Sequence, residues 1–548
     1  MKQTAGIASV FAVALRNRAL LRLELAWAVF NGAEWGVWIA LLVYAYTHGG
    51  AATASLIVIV QLAPCIVLAP FLGALTDRLR AGRVLAVSYL LMGLTMGAVA
   101  AAVATGAPRV VVFALAPLMN LAITTPRPAQ SSLLPGVVRS PMELTAANVV
   151  SSWMENGSVM VAPALTGVLL GVGGPALAMT VLAVGCLAGA LLVLAVPGPP
   201  ALARDPDAES VSLVAEVRDG VKAVAAVPSV RLLVGVLGLQ YILVGGLDVL
   251  YVVLAISVLG MGESGAGYLN SAFGIGGLVG AMAVATLVAR SRLAPALIAG
   301  IVVAALALGA LGLYPTVIGA FVLLGVAGLS RTVLDATGRI LLQRSAPPGI
   351  IAQVFALLES LMDAGLMAGA IIVPTLVGLS GARAALLGTG ALFLVIVAVT
   401  GSRLLRADAA ANVPQVEIRL LKSIALFAPL PAPELEGLAR ALVPVSASAG
   451  ETVIHESDGG DCYYAIADGE VAVTKGGRQV KLLHRGDGFG EIALIEDVPR
   501  TATVTATSDA ALYSLEKDEF LLALTGHAPV ARAASDLVAR RLDELRAF

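Results

Sequence analysis

FGEIALIEDVPRTATVTA, residues Phe489–Ala506, is the stretch on which the reading of this chain turns. It opens with the pair Gly490-Glu491 and places the triplet Arg500-Thr501-Ala502 about nine residues later. A glycine lets the backbone approach a ligand closely and offers free N–H groups. Glu491 can accept from a hydroxyl, and Arg500 presents a planar, permanently charged fork that suits a phosphate. From Thr501 to Thr507 β-branched residues alternate as on a strand, so the arginine stands on a stiff frame. Together these features describe a cradle for a small anion that carries a sugar.

Outward from this stretch the chain is of another kind. Its 548 residues are 58% hydrophobic and only 13% charged, with mean hydropathy +0.92, where a soluble domain carries about a quarter charged residues. A net charge of −1 gives no reason to expect a nucleic-acid partner. The three cysteines, Cys65, Cys186 and Cys462, have neither metal-site spacing nor the pattern of a disulfide framework. His48, His455, His484 and His527 are scattered and read as surface or loop residues. No metal site, cofactor or catalytic constellation is assigned, and the expected class is not an enzyme. No cleavable leader is expected, because the first apolar segment is long enough to span a membrane. Abundant alanine and an excess of arginine over lysine point to a GC-rich bacterial genome.

Twelve apolar segments follow a short basic lead, at 20–47, 51–76, 83–105, 109–130, 142–171, 174–197, 231–259, 264–289, 293–314, 316–343, 350–379 and 382–403. Each is long enough to cross ~30 Å of hydrocarbon at ~1.5 Å per residue. The longest gap, Pro197 to Arg231, is rich in charge and divides the segments six and six. Basic residues such as Arg22, Arg83, Arg139, Lys222, Arg292, Arg344 and Arg406 occupy every second connection, whereas the alternate set offers little beyond Arg109 and Arg383. The positive-inside rule then places both termini in the cytoplasm. The halves also look duplicated: RPAQSSLLP from Arg127 matches RILLQRSAP from Arg339 at an offset of about 212 residues. The expected divisions are a first six-helix half (1–199), a cytoplasmic loop (200–230), a second half (231–404), a linker (405–416) and a tail domain (417–548). In the tail, two short helices around an LF-x-x-L turn lead into short strands and a Gly476-Gly477 hairpin, and the end is helical.

The quoted stretch resembles the phosphate-binding cassette of the cyclic nucleotide-binding domain family, whose pattern is F-G-E-(aliphatic)-A-L, a short loop, then R-(small or hydroxyl)-A. The resemblance implies a β-roll flanked by helices in which Phe489, Gly490, Glu491, Ile492, Arg500, Thr501 and Ala502 form the ligand site. Amides around Gly490 and Ala502, with the Arg500 guanidinium, would hold the cyclic phosphate, and Glu491 the ribose 2′-hydroxyl. Thr501 is compatible with cGMP, but cAMP is the preferred ligand.

A second resemblance covers roughly 15–405. GALTDRLRAGR, Gly73–Arg83, looks like the loop between helices 2 and 3 of the major facilitator superfamily, G-x-x-x-D-R-x-G-R, with Gly73, Asp77 and Arg78 matching and the second Gly-Arg two residues late. RPAQSSLLPGVVRSPMELTAANVV from Arg127 is similar to its drug-exporter branch. The fold so implied is a polytopic α-helical membrane protein of twelve transmembrane helices in two six-helix halves, with the site between them.

Charges within such spans are costly and therefore functional candidates. Glu34, Glu155 and Asp363 fall near mid-depth, and Asp248 lies somewhat beyond it. In the superfamily helices 1, 4, 7 and 10 line the cavity, so Glu34 and Asp248 are the favoured proton-coupling positions. Arg331, Asp335 and Arg339 step at i,i+4 along one helix, a ladder expected to neutralise itself and, with Gly73, Asp77, Arg78 and Arg127, to gate the cytoplasmic side. The expected function is export of a small amphiphile across a bacterial inner membrane, set by cytosolic cyclic nucleotide. The alternatives are a membrane-tethered nucleotide receptor and a lipid flippase.

Overall fold

The computed structural model describes residues 17–76, 79–139, 141–196, 213–287, 292–347, 350–411, 415–430 and 432–525, together with 534, 537, 538, 540 and 541. Two compact units emerge: Met1–Arg139 with Ala146–Ala411, and Ser140–Thr145 with Asn412–Phe548.

The first unit is entirely helical. Its elements are α1 (Arg18–Thr76), α2 (Ala81–Ala104), α3 (Arg109–Thr124), α4 (Pro126–Val137), α5 (Pro141–Leu194), α6 (Leu213–Ala226), α7 (Pro228–Val253, extended by a π turn at Leu254–Val258), α8 (Gly262–Leu287), α9 (Ala294–Leu313), α10 (Val317–Ser345) and α11 (Ile351–Ala410). Among the described residues, nine helical stretches are long and apolar enough to cross a membrane. Three of the elements are broken at glycine into two helical parts. Gly49-Gly50 interrupts α1, Gly173-Gly174 interrupts α5, and Gly381 interrupts α11. Gly50 (φ 69°, ψ −164°) and Gly174 (φ 64°, ψ −167°) occupy a backbone region that residues with a Cβ all but never enter.

Helix starts are secured by side chains at a distance as well as locally. Thr316 accepts from the Gly319 N–H at the start of α10, and the Asp408 carboxylate accepts from the N–H groups of Leu293 and Ala294 at 3.2 and 3.1 Å, satisfying donors that a helix leaves open. Glycines also let helices meet backbone to backbone. A Cβ on Gly369 would collide with the carbonyl of Ile242 on α7, whereas one on Gly378 of the same helix would meet nothing within 4 Å. Small residues at such contacts are what membrane helices use to pack closely. Gly369→Ala is therefore expected to destabilise the full-length protein by about 1–3 kcal/mol and Gly378→Ala to leave it unchanged, as read from thermal unfolding in detergent. Equal melting of both variants would refute this.

Two boundaries differ from expectation. Helix α11 runs to Ala410, through the first half of the expected linker, because an alanine-rich stretch is a strong helix former. The expected loop 200–230 contains the amphipathic helix α6, and α7 begins at Pro228.

The second unit opens with α12 (Gln415–Ser423) and α13 (Ala432–Ala441) and continues as eight strands: β1 (Val443–Ala447), β2 (Thr452–Ile454), β3 (Cys462–Asp468), β4 (Val471–Lys475), β5 (Arg478–Leu483), β6 (Gly488–Phe489), β7 (Thr503–Ala506) and β8 (Ala510–Glu516). Two four-stranded sheets result, ordered β1-β8-β3-β6 and β2-β7-β4-β5, with antiparallel pairing throughout. Helix α14 (Glu491–Ile495) lies between β6 and β7, and α15 (Lys517–Thr525) follows β8. One core fills the space between the sheets around Ile466, Val471, Phe489 and Val504. Another packs α12, α13 and α15 around Phe427, Tyr463 and Phe520, whose rings meet edge-on or stacked. The β4–β5 hairpin turns through Gly476 and Gly477, both at positive φ, as expected for a two-residue turn.

Candidate functional site

The cassette closes on itself in the second unit. Strand β6 delivers Phe489, whose ring stacks on Tyr464 at 5.2 Å. Gly490 then turns the chain into α14 with φ 95°. A Cβ there would lie 2.7 Å from Arg500 Nη1 and 3.0 Å from the Cys462 carbonyl oxygen, so glycine is required by conformation and by space. Arg500 is only 5% exposed. Its Nη1 donates to the Gly490 carbonyl (3.1 Å), and Nη2 donates to the Cys462 carbonyl (2.8 Å) and to Asp461 (3.2 Å). Its backbone is clamped as well, the N–H donating to Asp458 O and the C=O accepting from Ser457 N, both at 2.8 Å.

Glu491 is 1% exposed and does not stand free. Arg541, on a helical turn after α15, donates from Nη1 to both carboxylate oxygens at 2.8 Å and to the Gly488 carbonyl at 2.8 Å. Burial works against the charge of Arg541, but the adjacent Glu491 carboxylate holds its pKa above the ordinary arginine value. Burial, and then the Glu491 charge, push the phenol of Tyr463 far up as well, so it stays a neutral donor. Glu491, Arg500, Arg541, Thr501 and Ala502 all line one cavity, whose apolar walls include Ile454, Val473 and Val480. Among the described residues the Thr501 hydroxyl has no hydrogen-bond partner, while Ile492 and Ala502 are buried beside Val538. Chemically the pocket offers a buried carboxylate, two guanidinium groups and turn amides within a dry frame, which suits a phosphorylated sugar with an apolar face.

Sequence reasoning missed Arg541 and Asp461. Each meets the cassette only through folding, Arg541 from 50 positions away, and no local pattern marks either.

In the helical unit the expected transport and gate residues gather into clusters. Arg127 grips Glu34 with both terminal nitrogens (2.8 and 3.0 Å) and reaches Glu155 at 3.3 Å. Arg127, a gate candidate, is thus also the partner of two transport candidates. Arg339 holds Asp335 (3.1 Å), Glu359 (2.7 Å) and the Tyr241 hydroxyl (2.7 Å). Asp335 further accepts from Gln240 and Tyr241. The expected self-neutralising ladder is therefore incomplete. Asp335 turns to Arg339 and to α7, and Arg331 is left out of the pairing. Asp248 on α7 lies in the field of Arg331, and Asp363 lies in that of Glu359. Gly73 falls within α1, whereas Asp77 and Arg78 lie outside the described residues. Glu24, 2% exposed and bonded by the Ser151 hydroxyl at 2.7 Å, was also overlooked, because it stands near the start of the first apolar segment rather than at mid-depth. Among the described residues no group of His, Cys, Asp and Glu could hold a metal ion.

Comparison with known proteins agrees with both units. The profile of the Major Facilitator Superfamily matches residues 25–330, and that of the cyclic nucleotide-binding domain matches residues 444–527. Neither is an enzyme family. A cAMP-dependent protein kinase regulatory subunit of Yarrowia lipolytica is 41% identical over 102 residues, 18% of this chain and 27% of that protein. The corresponding subunit of Hypocrea atroviridis is 38% identical over 100 residues, 18% of this chain and 22% of its own length. The chain thus spans about a quarter of the curated relatives it matches. A structure of the regulatory domain of Toxoplasma gondii PKA with cAMP is 35% identical, covering 20% of this chain and 43% of that one, with a TM-score of 0.19.

Proposed function

This chain belongs to the Major Facilitator Superfamily and carries a cyclic nucleotide-binding domain after its helical unit, and from that premise we propose that it is a membrane transporter, an exporter of a small amphiphile, whose activity is set by cytosolic cAMP. One observation carries the regulatory part: Glu491 and Arg500 converge with Arg541 on a single pocket. The relatives named for cAMP favour that ligand over cGMP.

For the helical unit the reading is twelve spans in two halves of six. Its support is that glycine breaks divide α1, α5 and α11, and that Arg127 and Arg339, aligned by the internal repeat, each gather two carboxylates. An even number of spans with basic alternate connections puts both termini in the cytoplasm. The composition favours a bacterial inner membrane. Proton coupling is assigned to Glu34 or Asp248, with Glu155 and Asp363 in support, and the cytoplasmic gate to the 73–83 loop with Arg127, Asp335 and Arg339.

The test is flux from proteoliposomes. With carboxyfluorescein and ethidium as probes, cAMP on the tail side is expected to change efflux by about 5–150-fold, the range of ordinary coupling energies. The Glu34→Gln, Asp248→Asn double variant is expected to lose uphill export while keeping exchange. Nucleotide binding without flux of either probe favours the tethered receptor, and scrambling of labelled lipid favours a flippase. Unchanged pH-gradient-driven transport in the double variant would remove the proton assignment.

A further inference from the structure

Three helices wall an open groove of about 830 Å³ in the helical unit. Helix α9 contributes Ala296, Ala299 and Val303, α10 contributes Leu329 and Val333, and α8 contributes Leu287. The groove exists because α9 carries little bulk there. Ala296 and Ala299 end at Cβ, and the neighbouring Gly300 seats the helix on α10, where a Cβ would lie 3.0 Å from the Ser330 carbonyl oxygen. Ser330 also lines the groove, but its hydroxyl donates to the Val326 carbonyl at 2.8 Å, so the walls stay apolar. Ala299 and Val303 are exposed, and the groove therefore opens to what surrounds the helices.

One charge stands at its end. Arg292, exposed and also part of the wall, immediately precedes α9. The turn that carries it is tied to α11: Asp408 accepts from the N–H groups of Leu293 and Ala294 with its carboxylate, and from Arg292 Nη1 with its carbonyl at 2.8 Å. That carboxylate is committed to the helix start, and among the described residues no carboxylate oxygen lies within 4.0 Å of the Arg292 guanidinium. The other donors of the fork can take an anion. Between Arg292 and Val303 the chain climbs about 16 Å at ~1.5 Å per residue, about half the ~30 Å of a hydrocarbon core. A cation at one end of an apolar trough one leaflet deep matches a single phospholipid, with phosphate on the guanidinium and an acyl chain along α9. A soluble anion would leave the trough uncovered, and an apolar peptide would leave Arg292 without a counter-charge.

We propose that this groove docks an anionic phospholipid of the cytoplasmic leaflet, its headgroup phosphate on Arg292 and one acyl chain between α8, α9 and α10. The site rests on the membrane-spanning reading above, but not on transport.

The experiment is photolabelling of the full-length protein in phosphatidylcholine liposomes, doped in turn with phosphatidylglycerol or phosphatidylcholine bearing the same diazirine acyl chain. The label is mapped by peptide mass spectrometry. Choline cancels the charge of its own phosphate, so phosphatidylglycerol is expected to label 295–303 and 329–333 about fivefold more strongly, the worth of one basic residue near a membrane surface. Arg292→Gln is expected to remove that preference, and Ala299→Trp, which fills the trough, to lower labelling there by both lipids. Equal labelling by the two lipids in wild type overturns the proposal, and this comparison needs no variant to fold. A preference of the same size on the exposed face of α2, or an unaltered preference in Arg292→Gln, overturns it as well. Displacement of the label by sn-glycerol 3-phosphate would mark a site for soluble phosphates and overturn the lipid assignment. Because labelling is read without flux, the preference with no flux removes the transport reading alone. Flux without the preference removes the lipid site alone.

Discussion

Replacing Arg500 with alanine is expected to lower cyclic-nucleotide affinity by about a hundredfold or more and to fix transport at its nucleotide-free level. A charge-assisted hydrogen bond contributes about 1.5–3 kcal/mol, so a two-toothed contact to a phosphate corresponds to two or more decades at about 1.4 kcal/mol per decade. The same guanidinium ties Gly490, Cys462 and Asp461 together, so the cassette loses its shape along with its charge. Arg500→Lys should fail substantially as well, since one ammonium cannot reach the Gly490 and Cys462 carbonyls and still present a planar fork. Titration calorimetry of cAMP into the full-length protein in detergent decides the matter. Near wild-type affinity in Arg500→Ala would mean that the cassette is wrongly assigned.

Arg541→Ala should loosen the whole nucleotide domain when no ligand is present. Removing it leaves Glu491, 1% exposed, as a buried carboxylate without its cation, and breaking a buried pair from one side costs about 3–5 kcal/mol. Hydrogen exchange of the β3 and β8 amides in the full-length protein is then expected to quicken by about a hundredfold or more. Saturating cAMP should recover much of the loss, because a ribose hydroxyl offers Glu491 a new donor. The Glu491→Gln, Arg541→Met pair, which removes both charges, should exchange more slowly than Arg541→Ala alone. Unchanged exchange in the single variant would show that the pair does not hold the domain together.

The cassette was legible because its chemistry is local. Turn glycine, carboxylate and arginine fall within a dozen residues of one another, and the strand that follows the arginine has its own alternation. Helix breaks were legible for a similar reason, since Gly49-Gly50 and Gly173-Gly174 punctuate apolar runs. What the sequence could not arbitrate was competition among distant partners. At i,i+4 spacing Asp335 can pair with Arg331 or with Arg339, and the choice is made by Tyr241, Gln240 and Glu359, which arrive from other helices. Arg541 is hidden for the same reason, in a helix whose counterpart is known only once the sheets have formed. The alanine-rich linker shows the same limit, since its first half continues the helix to Ala410 as alanine's helix propensity favours.

The two arginine hubs have a mechanical side. Arg127 finds Glu34 and Glu155 before residue 197, and Arg339 finds Asp335 and Glu359 beyond residue 228. In the proposed two-half transporter neither would have to release a partner for one block of helices to swing against the other. At Gly167, Gly267 and Gly274 the helices α5 and α8 meet backbone to backbone, with the Ser271 hydroxyl donating to the Met160 carbonyl beside them. In the proposed transporter, rocking of the two blocks would then cost contact area rather than ion pairs.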